Sequence, residues 1–385
     1  MRRLFPLVAA VVLVDTAFYA AISPLLPHYA DELDLSKSAA GVLTASYAAG
    51  TLLGSIPGGW LAARIGVKRT LLSGLGLLAA TSVAFGFAED IVLLDLARFV
   101  QGVGGAFSWA AGLAWLIGMA PPDRRGELIG SAIAAAIVGV MLGPVLGGAA
   151  TVASPEAVFS SVALLACGLA AWAAAIPGIE PTGGPVMRPM ATALRRRAVL
   201  SGFWLFCLPA VFAGVIEVLG PLRLDDLGAS GVAIGAVFLL MAAVEAVISP
   251  VAGRLSDRRG RLVPIQTGLA GASVAAVLLP LPGSAVLTAA ALVAAIAALG
   301  TFWAPAMAMV SDASEAAGLE QGLAFALSNL AWAGGHLLGG AGAGALADAT
   351  SDALAYGLMG AICALTLAGL RAGGPRRGAA RAVQA

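Results

Sequence analysis

The sequence predicts an all-α membrane protein of twelve spanning helices arranged as two related six-helix bundles. Three observations lead there: twelve long apolar stretches, basic loops confined to one side of the count, and an internal repeat. Composition sets the frame. The 385 residues are 60% hydrophobic and 11% charged. Soluble domains carry roughly 25% charged residues, so a water-soluble chain is excluded. A net charge of +1 gives no electrostatic footing for nucleic acid. Cys167, Cys207 and Cys363 lie far apart inside apolar stretches, which argues against a disulfide framework and a metal cluster.

A spanning helix needs about 20 apolar residues. Such stretches fall at 4–27, 39–61, 70–88, 91–118, 127–153, 157–178, 198–222, 229–252, 262–281, 285–310, 321–347 and 353–371. The first is too long for a cleaved leader and carries Asp15 at its middle. The second holds a ladder of Gly50, Gly54 and Gly58. The ninth and tenth are separated by the turn cluster from Pro280 to Ser284. Basic residues then orient the count. Those near 2–3, 64–69, 124–125, 188–197, 254–261 and 371–381 make up 19 of the 22. Only Lys37 and Arg223 fall in the opposite loops, and Arg98 lies within helix four. Both termini are therefore expected to be cytoplasmic, in the inner (plasma) membrane.

The halves match when overlaid. Pro27, Gly41, Gly59, Arg64 and Gly66 recur 194 positions on as Pro221, Gly235, Gly253, Arg258 and Gly260. Gly126, Gly139, Gly143 and Gly148 recur 196 positions on as Gly322, Gly335, Gly339 and Gly344. The expected organisation is an N-terminal bundle over 1–179, a cytoplasmic linker over 180–197, a C-terminal bundle over 198–371 and a cytoplasmic tail over 372–385. Parallel repeats of this kind place a substrate site near the midplane between the halves.

Several motifs sharpen that expectation. Gly59-Trp-Leu-Ala-Ala-Arg64-Ile-Gly66-Val-Lys68-Arg69 and its repeat Gly253-Arg-Leu-Ser-Asp257-Arg258-Arg-Gly260-Arg261 resemble the signature loop of the major facilitator superfamily. Ala63 stands where the first copy usually has an acid, and Asp257 keeps it in the second. Arg98-Phe-Val-Gln-Gly-Val-Gly-Gly-Ala resembles the superfamily's helix-four signature, whose arginine is linked to proton transfer. Asp95, one turn away, is the alternative structural partner for that arginine. Gly139-Val-Met-Leu-Gly143-Pro144-Val-Leu-Gly147-Gly148 resembles the helix-five motif of the twelve-helix drug:proton antiporters. Its glycines permit close helix approach, and Pro144 removes a backbone donor. Asp15, Glu217 with Pro221, and the stretch 325–340 resemble the vesicular amine transporter branch, although Asn329 replaces an acid usual there and helix ten has none.

The resemblance implies the major facilitator fold and proton-coupled export of lipophilic, cationic small molecules. A neutral metabolite such as a sugar or amino acid is the alternative cargo. A carboxylate at bilayer depth is expensive and ordinarily faces a polar cavity, so Asp15 is expected at a wet crevice between the bundles. Glu217 reads either as a substrate contact or as a carboxylate snorkelling toward Arg223. Glu245 reads as a proton or cation contact. Asn329, Trp332 and His336 share one helical face, and His336 is a candidate relay. Phe18, Tyr19, Trp303 and Trp332 are candidate aromatic walls for a cation. Gly59, Arg64, Gly66, Gly139, Gly143, Pro144, Gly147, Asp257, Arg258 and Gly260 would shape gates. Neither a metalloprotease helix motif nor a Gly-x-Ser-x-Gly elbow occurs, so no enzyme, metal site or cofactor is expected. The expected partners are a small-molecule substrate, protons and the bilayer, with the chain acting as a monomer.

Overall fold

The computed structural model describes residues 3–121, 124–179, 195–316 and 321–372. Most of the expected linker, through residue 194, and the tail beyond 372 lie outside the described residues. The described residues form twelve helices: α1 (Leu4–Glu32), α2 (Lys37–Ile65), α3 (Val67–Gly86), α4 (Ile91–Met119), α5 (Arg125–Val152), α6 (Pro155–Ala174), α7 (Arg197–Asp226), α8 (Gly231–Arg259), α9 (Leu262–Leu278), α10 (Ala285–Glu315), α11 (Gln321–Ala349) and α12 (Asp352–Ala372). Ten are long and apolar enough to cross a membrane. The others are α9, apolar but only 17 residues long, and α11, whose hydropathy is diluted by glycine, Asn329 and His336.

Several helices overrun their apolar windows. α8 continues through Arg254, Asp257, Arg258 and Arg259, because arginine is a good helix former and 29 residues span about 42 Å, more than the roughly 30 Å of hydrocarbon. α1 is interrupted at Ala21. Pro24 and Pro27 have no N–H to give the carbonyls of Ala20 and Ser23, so the hydrogen-bond ladder fails there.

The repeat is visible in the backbone. α2 and α8 begin and end 194 positions apart. Ser36 and Ser230 cap them in the same way, accepting from the amides of Ala39 at 3.2 Å and Ala233 at 3.3 Å. Asp90 and Ser284, again 194 apart, cap α4 and α10. Gly66 and Gly260 share φ of 94° with ψ of 151° and 149°. A side chain is strained at that φ, which explains glycine at both sharp turns of the signature loops.

Two apolar cores follow. One runs from Leu4 to Ile176 and is built from α1 to α6; the other runs from Val199 to Cys363 and is built from α7 to α12. The halves meet along α2 against α11 and along α5 against α8. Near the Lys37 end of α2 and the Gly231 end of α8 the backbones nearly touch: Gly41 lies against Gly340 and Gly344, and Gly235 against the Pro144 carbonyl. The Lys37 ammonium bridges to Asp352 across the halves at 2.6 Å. Among the described residues, a further polar cross-half contact is Asn329 Nδ2 donating to Ser55 Oγ at 3.2 Å, about 27 Å along α2 from its first residue. This end of the molecule is sealed.

The helix-five glycines pack on α1. Gly139 faces the Leu13 carbonyl and the Thr16 hydroxyl, Gly143 faces Ala17 and Ala20, and Gly147 faces Ala21 and Pro24 at the interruption. Thr16 Oγ1 also lies 3.0 Å from the Ala136 carbonyl of α5. Gly139→Val is therefore expected to lower stability by about 1–3 kcal/mol through overpacking, read as a lower unfolding midpoint in detergent. Gly130→Ala, at a position with open space around it, is expected to leave the midpoint unchanged. Lys37→Ala removes only a half-exposed ion pair and should cost less than about 1 kcal/mol in the same assay.

Candidate functional site

α1 carries its polar residues into the protein interior, and each finds its partners on other helices. The Asp15 carboxylate is 1% exposed. Tyr47 of α2 donates its hydroxyl to Oδ2 at 3.1 Å, and Trp109 of α4 donates its indole N–H to the same oxygen at 3.2 Å. Oδ1 has no hydrogen-bond partner. Gly105 of α4 leaves the space that both carboxylate oxygens and the Tyr47 hydroxyl occupy. The expectation of a wet crevice between the bundles is corrected here. Asp15 sits inside the N-terminal half, enclosed by α1, α2 and α4, because the small Gly105 lets the carboxylate tuck against α4.

Arg98 is also 1% exposed. Its guanidinium donates to the Phe18 carbonyl at 3.4 Å, the Tyr19 carbonyl at 3.1 Å and Gln101 Oε1 at 2.9 Å. It also lies over the rings of Tyr47 and Tyr19, at 5.2 and 5.8 Å from their centroids. Arg98 therefore reaches the carbonyls just before the interruption of α1. Asp95, the alternative partner, instead receives the Ser46 hydroxyl at 3.5 Å.

The boundary between the halves is occupied by Tyr19. Its hydroxyl donates to the Glu217 carboxylate of α7, with Oε1 at 3.0 Å and Oε2 at 3.2 Å. His336 Nδ1 of α11 lies 3.3 Å from Glu217 Oε2 and 3.4 Å from the Tyr19 oxygen. The Tyr19 ring packs on Tyr47 at 4.7 Å and on Trp332 at 5.3 Å, and Trp332 packs on His336 at 4.5 Å. Asp15 and Glu217, from opposite halves, are thus joined through two packed tyrosines. Arg223 does not hold Glu217; it donates to the Pro282 carbonyl at 3.1 Å.

Other expected residues lie apart from this cluster. Glu245 is half-buried on α8 and packs against Gly300 of α10. Trp303 packs on Phe206 at 5.2 Å. Phe18 is corrected: it packs on Phe85 and Phe159 at 5.7 and 5.0 Å, deep in the N-terminal core. It precedes Tyr19 by one residue, and about 100° of helical rotation turns it toward α3 and α6. In the signature loops, Arg64 stacks on Trp60 at 5.0 Å and Lys68 caps the end of α6 through the carbonyls of Ala174 and Ile176. Asp257 pairs with Arg261 at 2.9 Å, and Arg261 reaches Asp312 at 3.2 Å.

Tyr47, Trp109, Gln101 and Ser55 are site residues that sequence reasoning did not single out. Tyr47 had a usable signal, a phenol in a helix otherwise rich in glycine and alanine. Among the described residues no group of three histidine, cysteine or acidic side chains could hold a metal.

Comparison with known proteins gives this arrangement its family. The Major Facilitator Superfamily profile matches residues 8–279 and again 203–383. The MFS-type transporter ppzB of Metarhizium rileyi is 30% identical over 146 residues, covering 37% of this chain and 30% of that protein. The human vesicular acetylcholine transporter is 38% identical over 120 residues, covering 31% of this chain and 22% of that protein. The matched segments thus span less than a third of these relatives' own length. Among solved structures, the partially occluded inward-open xylose transporter XylE from E. coli superposes with a TM-score of 0.74 at 16% identity over 97% of this chain and 99% of that one, a likeness of fold alone. The profile match across nearly the whole chain shows that it belongs to the major facilitator superfamily.

Proposed function

We propose that the protein is a proton-coupled antiporter that exports lipophilic, cationic small molecules by alternating access. The observation that carries this reading is the convergence of carboxylates from opposite halves, Asp15 and Glu217, on a shared cage of Tyr19, Tyr47 and Trp332. Aromatic faces attract cations by their quadrupole, more strongly once water is excluded. Asp15, Glu217 and Glu245 together outnumber the one arginine buried among the described residues, Arg98, so the site as a whole favours positive charge. A relative named for acetylcholine, itself a quaternary ammonium cation, supports the same cargo class. The direction of transport rests on the helix-five motif.

In this reading Asp15, Glu217 and His336 exchange protons, Glu245 with Trp303 offers a second cation contact, and Asn329 ties α11 to α2. The glycine motif at Gly139, Gly143, Pro144 and Gly147 and the loop residues Gly59, Arg64, Gly66, Asp257, Arg258 and Gly260 shape the gates. Residues 1–179 and 198–371 act as the two rocking units, joined by a linker over 180–197. The basic loops and both termini face the cytoplasm of an inner-membrane monomer.

One observation favours a neutral cargo. Asp15 and Glu217 are already hydrogen-bonded within the protein, as groups that only carry protons would be. Asp15→Asn separates the two readings. In proteoliposomes with an imposed proton gradient, the substitution is expected to abolish tetraphenylphosphonium and ethidium export, a loss of at least about tenfold. Intact cation export together with lost sugar or amino-acid exchange would reverse the assignment.

Tyr19→Phe removes the hydroxyl that ties α1 to Glu217. A hydrogen bond to a charged group contributes about 1.5–3 kcal/mol, so the sealed outer end is expected to open more often. Distances between spin labels near positions 37 and 352, measured by pulsed spectroscopy, would show a larger open population. An unchanged distribution would remove Tyr19 from the closing contact.

A further inference from the structure

The last two turns of α8 carry a cluster of three arginines, of which the transport reading uses only Arg258, as a gate residue. Arg254, Arg258 and Arg259, with Val251 and Leu255, line a cleft of about 400 Å³. All three arginines are exposed, and none forms an ion pair with another described residue. Three other bases on the same face are engaged: Lys68 caps α6, Arg64 stacks on Trp60, and Arg261 pairs with Asp257 and Asp312. Further along α8 into the membrane, Val251 and Val247 are 51% and 67% exposed. The spacing 247, 251, 254, 258 makes one continuous stripe. It lies on the far side of α8 from Glu245, which packs toward Gly300 of α10.

The repeat separates what the fold requires from what is special to this site. The positions 194 earlier are Trp60, Arg64 and Ile65 on α2. The fold is therefore satisfied with a single arginine there, stacked on a tryptophan. Sidedness of insertion needs only positive charge near the helix end and does not require three guanidiniums to converge on one cleft above an apolar stripe.

We propose that this cleft binds the phosphate headgroup of an anionic phospholipid in the leaflet on the basic side of the membrane. Arg254, Arg258 and Arg259 hold the phosphate oxygens, and an acyl chain lies along Leu255, Val251 and Val247. Guanidinium groups suit this role because their forked donors match phosphate geometry bidentately. Basic clusters at the membrane surface attract anionic headgroups. The proposal is independent of the substrate and of the direction of transport.

The test is lipid retention by the purified full chain, taken from nanodiscs of equal phosphatidylglycerol and phosphatidylcholine and read by native mass spectrometry. The wild type is expected to retain phosphatidylglycerol in preference to phosphatidylcholine. The triple variant Arg254→Gln, Arg258→Gln, Arg259→Gln is expected to lose that preference by about tenfold. A control that removes three charges elsewhere on the same face, Arg64→Gln, Arg69→Gln, Arg371→Gln, is expected to keep it. Should the glutamine triple fail to insert, the triple Arg→Lys variant retains the charge and is expected to weaken the preference severalfold, because an ammonium cannot fork. Equal retention of both lipids by the wild type overturns the proposal. So does an equal loss in the control, which would indicate diffuse charge, or a preference unchanged in the cleft variants.

Discussion

A helix that carries polar side chains and loosened carbonyls into an apolar interior must have them satisfied by its neighbours, and α1 is that helix here. Its Asp15 receives Tyr47 and Trp109, its Thr16 approaches an α5 carbonyl, and its carbonyls at Phe18 and Tyr19 receive Arg98. Leaving a buried polar group unsatisfied costs about 1–3 kcal/mol, more when it is charged. These partners therefore anchor α1 to α2, α4 and α5 more firmly than its apolar contacts alone would. Only at Tyr19, one turn beyond Asp15, does the same helix extend a bond to the other half.

Much of the architecture was legible in the sequence because it rests on regular signals. Spans follow from apolar length, and the turns of the signature loops follow from Gly66 and Gly260, where a positive φ excludes other residues. The site was legible at its charges and less so at their partners. Asp15, Glu217 and His336 stand out as ionisable groups at depth, whereas Tyr47 and Trp109 look like ordinary packing aromatics until the fold brings α2 and α4 against α1. Phe18 shows the limit from the other side. Adjacent aromatic residues on a helix point about 100° apart, and nothing in the pair Phe18-Tyr19 says which of them faces the centre. The placement of Asp15 within one half, instead of on the boundary, depended on Gly105 of α4, a contact between segments 90 residues apart.

The internal repeat divides the residues by role. Serine caps, turn glycines and helix ends recur between the halves, because both bundles must solve the same folding problem. The polar residues of the centre do not recur. The positions 194 away from Asp15, Tyr47, Arg98 and Glu217 are Pro209, Met241, Leu292 and Ser23, and those 196 before Asn329 and His336 are Ile133 and Val140. Residues that break the symmetry of a duplicated fold are those for which the fold offers no explanation. Central charges of opposite sign, Arg98 in one half and Glu217 in the other, give the boundary a polarity that two identical bundles could not have.

That asymmetry also limits what can move. In the proposed rocking cycle the bonds inside a half would persist, so Asp15 would keep Tyr47 and Trp109 while Arg98 would keep the carbonyls of α1. Among the described residues, the bonds that cross the boundary include Tyr19 to Glu217, His336 to Tyr19, Asn329 to Ser55 and Lys37 to Asp352. Lys37 and Asp352 are partly exposed and screened by solvent, so their separation costs little. The Asn329–Ser55 bond joins two neutral groups. The Tyr19–Glu217 bond joins a buried donor to a carboxylate and is the costliest to break without a replacement. In the proposed mechanism a proton or an organic cation arriving at Glu217 provides that replacement. Opening then becomes conditional on occupancy at the one place where a charge of one half meets the hydroxyl of the other.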